Sequence, residues 1–544
     1  GAADMKYRFW WTYPVMTSPH DPDVLYVTSQ FVHRTTDEGE SWEVVSGDLT
    51  RADPRTLERT PSYEHPEPGE YWGPITREAY GPEWYATIFA FAESPVDGNV
   101  MWAGSDDGWV HVSRDGGARW TKVNIPDLPE FALISIIDPS HHDAGTAYVA
   151  ATRYKLDDRT PYLYKTRDYG AHWTRITTGI SDGDFTRVIR EDPDRPGVLY
   201  AGTERSVYVS FDDGGLWQPL NHGLPVVPVH DLQVKEGDLA IATHGRSFWI
   251  LDNVALLHQV DAGVMGEAAH LFRPRTTVRF RDGVDLVGAY SGGGAAGANP
   301  PSGVVIPYYL KTKPSGPVTL RVLAGNEVIR TVSDAPAEAG ANTWVWNMRY
   351  PGARVLPGAV FQGSAQGPLA APGTYTVEMT VDGRTQRQDF EIVRDPRLSH
   401  TDAELVAQHE FLIEVRDRLT QTMDLVKEIR DLRARAEEMV QTAGGRQQLQ
   451  DALQALNDQL YPLEERLVQY RARAGQDLIA QPTGIDSKLA RLMSFASMGD
   501  APPTEGSREL FGRLVQGIEE RAAALEEVKK KEFAELERLA RLIG

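Results

Sequence analysis

The sequence predicts a mainly β protein with an α-helical C-terminal domain: part of a β-propeller with four to five blades, then an Ig-like β-sandwich, then an antiparallel helical bundle. Three observations carry this reading. An Asp-Gly-Trp box repeats through the first half, alternating Val/Thr runs with tight-turn dipeptides fill the middle, and apolar residues recur every seven positions near the end. The order β, β, α in blocks is not the alternation that builds a parallel α/β sheet.

The box reads Ser/Thr-x-Asp-x-Gly-x-x-Trp. It occurs with Asp37 and Trp42, Asp115 and Trp120, Asp168 and Trp173, and Asp212 and Trp217. Each copy follows a Ser-Pro or Asp-Pro turn and an apolar run, such as Ser18-Pro19 before Val24–Val27 and Asp192-Pro193 before Val198–Ala201. A fifth copy, Asp238–Asp252, keeps the apolar runs and lacks the box. The Asp spacings are 78, 53 and 44, so the unit is near the shortest of these and the excess lies in insertions. Four short strands in such a length make one propeller blade. Within the box, the carboxylate is expected to bond the amides of its own turn, Gly to supply positive φ, and Trp to wedge beside a neighbouring strand, which is a structural role.

These boxes resemble the Asp-box, or BNR, repeats of sialidases, xyloglucan-degrading glycosidases and the sortilin-type receptor propeller. The wider string, from Tyr7-Arg8-Phe9-Trp10 to His244-Gly245-Arg246-Ser247-Phe248-Trp249, resembles large bacterial BNR-repeat proteins of the glycosyl hydrolase type. The resemblance implies an extracytoplasmic protein, periplasmic or secreted, and a propeller with further blades N-terminal to this region. Five blades would leave strand edges and apolar faces in water, so a preceding propeller segment or a second protein chain is expected to complete the ring.

The sandwich is expected over 268–395, after a propeller part over 1–255. Its strand candidates are Val304–Thr312, Val318–Leu323, Glu327–Ser333, Thr343–Arg349, Tyr375–Val381 and Asp389–Val393, with Gly325-Asn326 and Asp382-Gly383 as turns. Trp344 and Trp346 share a face at period two. Ser291–Ser302 reads as a loop or linker. The helical bundle is expected over 399–544. Thr401-Asp402-Ala403-Glu404 is a capping box, and Leu405, Leu412, Leu419 and Val426 mark the first helix. Further helices are expected over Gln447 to about Arg473, Ile485–Met498 and Ser507–Ile543, with Lys529-Lys530-Lys531 on solvated surface and self-association as one role of the bundle.

Composition bounds the chemistry. The 544 residues are 41% apolar and 24% charged, a globular composition. With 77 acidic against 56 basic side chains the net charge is −21, which disfavours nucleic acid as a partner. There is no Cys, hence no disulfide, thiolate nucleophile or Cys-ligated zinc. No apolar run is long enough to span a membrane, and the first residues contain no export signal core.

Counting strands places the second-to-third-strand turns on the face opposite the boxes. They fall at Ser105–Gly108, Arg153–Arg159, Thr203–Ser206 and Thr243–Ser247, and a long insertion, roughly Leu49–Tyr85, joins them. Glycoside hydrolysis needs two carboxylates flanking the bond, and Asp106 or Asp107 with Glu204 are the candidates. The structural alternative is a hairpin turn at Asp107-Gly108 and rim ion pairs at Glu204. Trp72, Tyr80, Trp84, Arg153, Asp158, Arg205, His244 and Arg246 are the candidate ligand-binding residues, with rings to stack on a glycan or peptide and charges to bond it. A sialidase would want Arg153, Arg205 and Arg246 to converge, yet no Tyr/Glu nucleophile pair is evident. No cofactor motif occurs, and no metal is expected: His20-Asp21 and His141-His142-Asp143 belong to the repeated turns, and Asp182-Gly183-Asp184 lacks the twelve-position calcium pattern. The leading expectation is a binding or assembly protein, and the alternative is a glycoside hydrolase.

Overall fold

The computed structural model describes residues 6–57, 84–280 and 299–543. The chain forms two compact units, Gly1–His258 and Gln259–Gly544.

Among the described residues the first unit is five antiparallel blades. Blades one to four have four strands each in sequence order, and blade five has three. The inner strands are Val15–Thr17, Ile88–Glu93, Leu133–Pro139, Thr186–Glu191 and Val229–Lys235. In each box of blades one to four, the hydroxyl before the Asp accepts the Gly amide (Gly117 N–H to Ser113 Oγ, 2.9 Å) and the Asp accepts the amide four residues on (Arg119 N–H to Asp115 Oδ1, 2.8 Å). The Gly residues take φ near +90°: 90°, 89°, 84° and 82° at Gly39, Gly117, Gly170 and Gly214. A Cβ at Gly214 would meet Ile176 Cδ1 at 2.7 Å, so the turn also needs Gly for close approach to the preceding blade. Two of the box Trp residues hydrogen-bond blades together, while Trp173 Nε1 donates to Gly170 O of its own box. Trp120 Nε1 donates to Val45 O at 3.0 Å and Trp217 Nε1 to Ile176 O at 2.7 Å, each reaching the preceding blade.

Four apolar clusters join blade one to two, two to three, three to four and four to five. Among the described residues none joins five to one. Polar latches reinforce the joints. His20 Nε2 donates to Ser94 O at 2.8 Å and His142 Nε2 to Asp192 O at 3.0 Å, so these His residues bind the next blade's turn. Arg190 reaches Asp138 at 3.0 Å and Asp231 at 2.8 Å, tying the inner strands of blades three, four and five.

In the second unit, a three-stranded sheet (Ala269–Leu271, Val304–Leu310, Gly340–Trp346) and a five-stranded one (Thr277–Arg279, Arg384–Arg394, Gly373–Val381, Val318–Ala324, Glu327–Ala335) enclose one core. Trp346 is 1% exposed, and Trp344 packs against the same core. Asp382 and Gly383, at φ 46° and 79°, make the expected hairpin. Of the expected linker, 291–298 lie outside the described residues.

Thr401 caps the helix Asp402–Thr442 with a reciprocal capping box. The second helix stops at Leu467, short of the expected Arg473. Glu464, fully buried between Arg430 and Arg433, anchors its last turn, and Val468 turns into extended backbone with its own side chain buried. Ile485–Ala496 and Glu505–Val528 follow, and the last helix is broken by a π turn over Lys529–Phe533 before Ala534–Ile543. Lys530 and Lys531 are exposed as expected, but Lys529 is three-quarters covered and holds Glu428 and Glu526. No described helix is long and apolar enough to cross a membrane.

Candidate functional site

The inner strands of the first unit surround a channel of about 710 Å³. Four of them carry a β-bulge near their start, at Phe89, Ser135, Arg187 and His230, where the pairing register skips one residue. A bulge re-aims the extra side chain out of the sheet face. Phe89, Ser135 and His230 accordingly line the channel. Arg187 leans instead to Glu204, donating from Nε at 2.8 Å and Nη2 at 2.6 Å to the same oxygen, Oε2.

The turns above three of these bulges, in blades two, four and five, are equivalent. The amides of Asp106, Glu204 and His244 bond the carbonyls of Thr87, Phe185 and Pro228 at 3.0, 3.0 and 2.9 Å. Glu204 is therefore fixed over the bulge of blade four and His244 over that of blade five. His244 Nδ1 lies 3.3 Å from His230 Nε2, with the rings edge to face. Burial, then the Arg187 and His244 charges, push the His230 imidazole down to about 4, so it is neutral at ordinary pH. From blade three, Tyr154 stacks on Phe185 at 4.8 Å, and the Arg187 guanidinium lies about 5 Å from both rings. One cluster, Tyr154-Phe185-Arg187-Glu204-His230-His244, thus spans three blades. It offers a flat aromatic pair, a cation, a carboxylate with Oε1 beyond the Arg fork, and two imidazoles.

Asp106 and Asp107 sit differently. They are 1% and 0% exposed. Asp106 accepts the Thr87 amide at 2.9 Å, and Asp107 accepts the amides of Arg51 and Ala52 at 2.9 and 3.1 Å and the Ser105 hydroxyl at 2.5 Å. Burial, with Asp107 alongside, raises the Asp106 carboxyl far above its usual range, and burial raises Asp107 too. A cavity of about 10 Å³, the size of one water, lies between Asp106, Thr152, Tyr154 and Lys155. Burial lowers the Lys155 amine against the pull of Asp106.

Arg153 is held by Glu130 O at 3.0 Å and Asp158 at 3.5 Å, while Asp158 also accepts the Tyr162 hydroxyl at 2.7 Å. Arg205 and Arg246 are exposed in their turns. Trp84 is half-buried and its amide bonds Phe9 O at 3.1 Å. Trp72 and Tyr80 lie outside the described residues. Among the described residues no group of three His, Asp or Glu is placed to hold a metal. Asp184, from the acidic loop, bonds Thr203 and Tyr208.

Glu204 and His244 lie in equivalent turns of adjacent blades, and the sequence reading named both. It missed Tyr154, Phe185, Arg187 and His230. Arg187 and His230 share a signal, visible once the inner strands are aligned on Phe185-Thr186-Arg187 and Pro228-Val229-His230, where each takes third place.

No family model matches the chain, and no curated protein does. Solved structures do match. YCF48 from Cyanidioschyzon merolae is 17% identical with a TM-score of 0.24, and the match covers 30% of this chain and 53% of that one. The Niastella koreensis GH74 enzyme is 12% identical, covering 69% and 65%, with a TM-score of 0.29. The Cps50 (Swd1) β-propeller domain of Myceliophteria thermophila is 10% identical, covering 62% and 98%, with a TM-score of 0.32. This chain is a propeller by its own sheets: four four-stranded blades and a fifth of three strands around one channel.

Proposed function

We propose that the chain is an extracytoplasmic binding and assembly protein, with an Asp-box propeller part over 1–255, a sandwich over 268–395 and a helical bundle over 399–544. Its ring is completed by a preceding segment or a partner chain, and its loop face binds a glycan or peptide. The observation that supports ligand binding is the fork of Arg187 on Glu204, set beside Tyr154, Phe185 and the His230–His244 pair at the channel mouth. Mixed donors, acceptors and a ring face around a concavity suit a polar ligand with an apolar side. Of the sequence-derived candidates, Glu204 and His244 belong to this cluster, and Arg205 and Arg246 follow them in the same two turns.

Calorimetry with panels of oligosaccharides and of short peptides tests this reading. Binding by the intact chain that falls at least tenfold in Arg187→Ala, with unchanged circular dichroism, supports it. Equal affinity in both proteins removes the cluster from consideration.

The alternative is a glycoside hydrolase using Asp106 or Asp107 with Glu204. Only the raised carboxyls of Asp106 and Asp107 favour it. It requires Asp106 or Asp107 to leave the bonds that bury them, and Glu204 to leave Arg187. Turnover of an oligosaccharide lost in Glu204→Gln would establish it.

A further inference from the structure

The open end of blade five repeats the geometry of a blade face that is covered elsewhere. Register equivalence makes the comparison direct. In blade four, Gly202 pairs with Val207 and Tyr200 with Val209; in blade five, Ala242 pairs with Phe248 and Ala240 with Ile250. Phe248 therefore occupies the place of Val207, and Ile250 that of Val209. Val207 and Val209 are 0% and 3% exposed because blade five covers them, as the next blade covers Val110 and Val112 in blade two. Phe248 and Ile250 are 80% and 57% exposed. Ala240 and Ala242 between them and the inner strand keep that face shallow.

The same strand is also the sheet's edge. Phe248–Leu251 pairs only with Asp238–Thr243 among the described residues, while the third strand of every other blade has a fourth beside it. The missing box explains the difference. Instead of an Asp turn leading to a fourth strand, the chain bends at Asn253, φ 58°, and runs as a 3-10 turn, Val254–Gln259, whose Val254 and Leu257 join the core of blades four and five. An apolar, uncovered edge strand is a pairing template that a stable protein covers.

We infer that the face of Ala240, Ala242, Phe248 and Ile250, with the edge of Phe248–Leu251, docks a further propeller blade whose residues lie outside this sequence. This deepens the ring-completion part of the proposed function and rests on it. The occupant is a blade because the surface continues four joints that blades already fill. A second copy of this chain fits less well. Its complementary face, on blade one, is partly taken up by its own chain: Tyr7 lies edge-on to His33 at 4.8 Å and Phe9 stacks on it at 6.4 Å, while Val15 stays 57% exposed. Each copy also has a charge of −21.

The test places a photoreactive benzoylphenylalanine at position 248 in the protein as its native host makes it, and maps the adduct by mass spectrometry. An adduct on a stretch outside residues 1–544 that contains a Ser/Thr-x-Asp-x-Gly-x-x-Trp box is the expected result. Amides of Phe248–Leu251 should then exchange at least tenfold more slowly in the native assembly than in the isolated 544-residue chain. An adduct to a second copy, to residues 259–544, or to a protein without propeller repeats overturns the inference. So does equal exchange in both states. Phe248→Lys with Ile250→Lys serves as the control: it abolishes the assembly and leaves loop-face ligand binding unchanged, so failure here is distinct from failure of the Arg187 test.

Discussion

Arg190 stands between Asp138 and Asp231 on the wall of the channel, 3.0 Å from one carboxylate and 2.8 Å from the other, and its Nε also bonds Leu232 O at 2.9 Å. One side chain thereby holds three inner strands at a fixed angle, which keeps the bulged residues above it in register.

Replacing that guanidinium should be costly. Asp138 is 7% exposed and also accepts the Glu191 amide at 2.7 Å, so it cannot turn to water. Arg190→Met is expected to destabilise the first unit by about 3 kcal/mol, the scale for stranding a buried charge. Asp231, more than half exposed, should matter far less, and Asp231→Asn should stay within about 1 kcal/mol. Urea unfolding of the three proteins checks the ranking.

The four boxes are alike in sequence and unequal in burial. Trp217 is 2% exposed and Trp42 is 43% exposed. Trp217→Phe removes the bond to Ile176 O and leaves a void, so a loss of about 2–3 kcal/mol is expected, against less than about 1 kcal/mol for Trp42→Phe. Thermal melts showing equal losses would contradict the inter-blade role assigned to Trp217.

Asp486 opens the helix Ile485–Ala496 at 1% exposure, and burial lifts its carboxyl to about 7. The folded chain then holds a proton that the unfolded chain has released above about 4. Stability of the second unit should fall as pH rises from about 4 through about 7 and level off above. Asp486→Asn removes that slope. Denaturant unfolding at pH 5 and pH 8, for both proteins, measures it.

At the mouth, Glu204→Gln keeps the shape of the Arg187 fork and removes its charge. With the neighbouring negative charge gone, His230 should titrate lower than its wild-type value of about 4, since Glu204 is the one group raising it. Proton NMR of the imidazole reads this directly, and an upward shift would mean that Glu204 does not face the ring.

The boxes, hairpins and caps were legible because each is a local bargain between neighbours: an Asp and the amide four residues on, a Gly and its φ, Thr401 and Glu404. The bulges were not. A skipped residue is defined by the strand opposite, and nothing in Thr186-Arg187-Val188 alone says that Arg187 lacks a partner. The burial of Asp107 was illegible for a related reason. Asp107-Gly108 reads as a turn and forms one, but Arg51 and Ala52, more than fifty residues earlier, return their amides to its carboxylate. The partners of Glu464 in the last turn of the second helix, Arg430 and Arg433, likewise come from a different helix.

Because a bulged residue is excluded from the ladder, its identity is freed from strand pairing at Phe89, Arg187 and His230, while Ser135 still bonds Ala150 O and Arg187 O through its hydroxyl. Phe, Ser, Arg and His occupy the same structural slot in successive sheets without altering them. The channel entrance can therefore be rewritten one tip at a time, and a designer could exchange its chemistry while the scaffold beneath stays as it is.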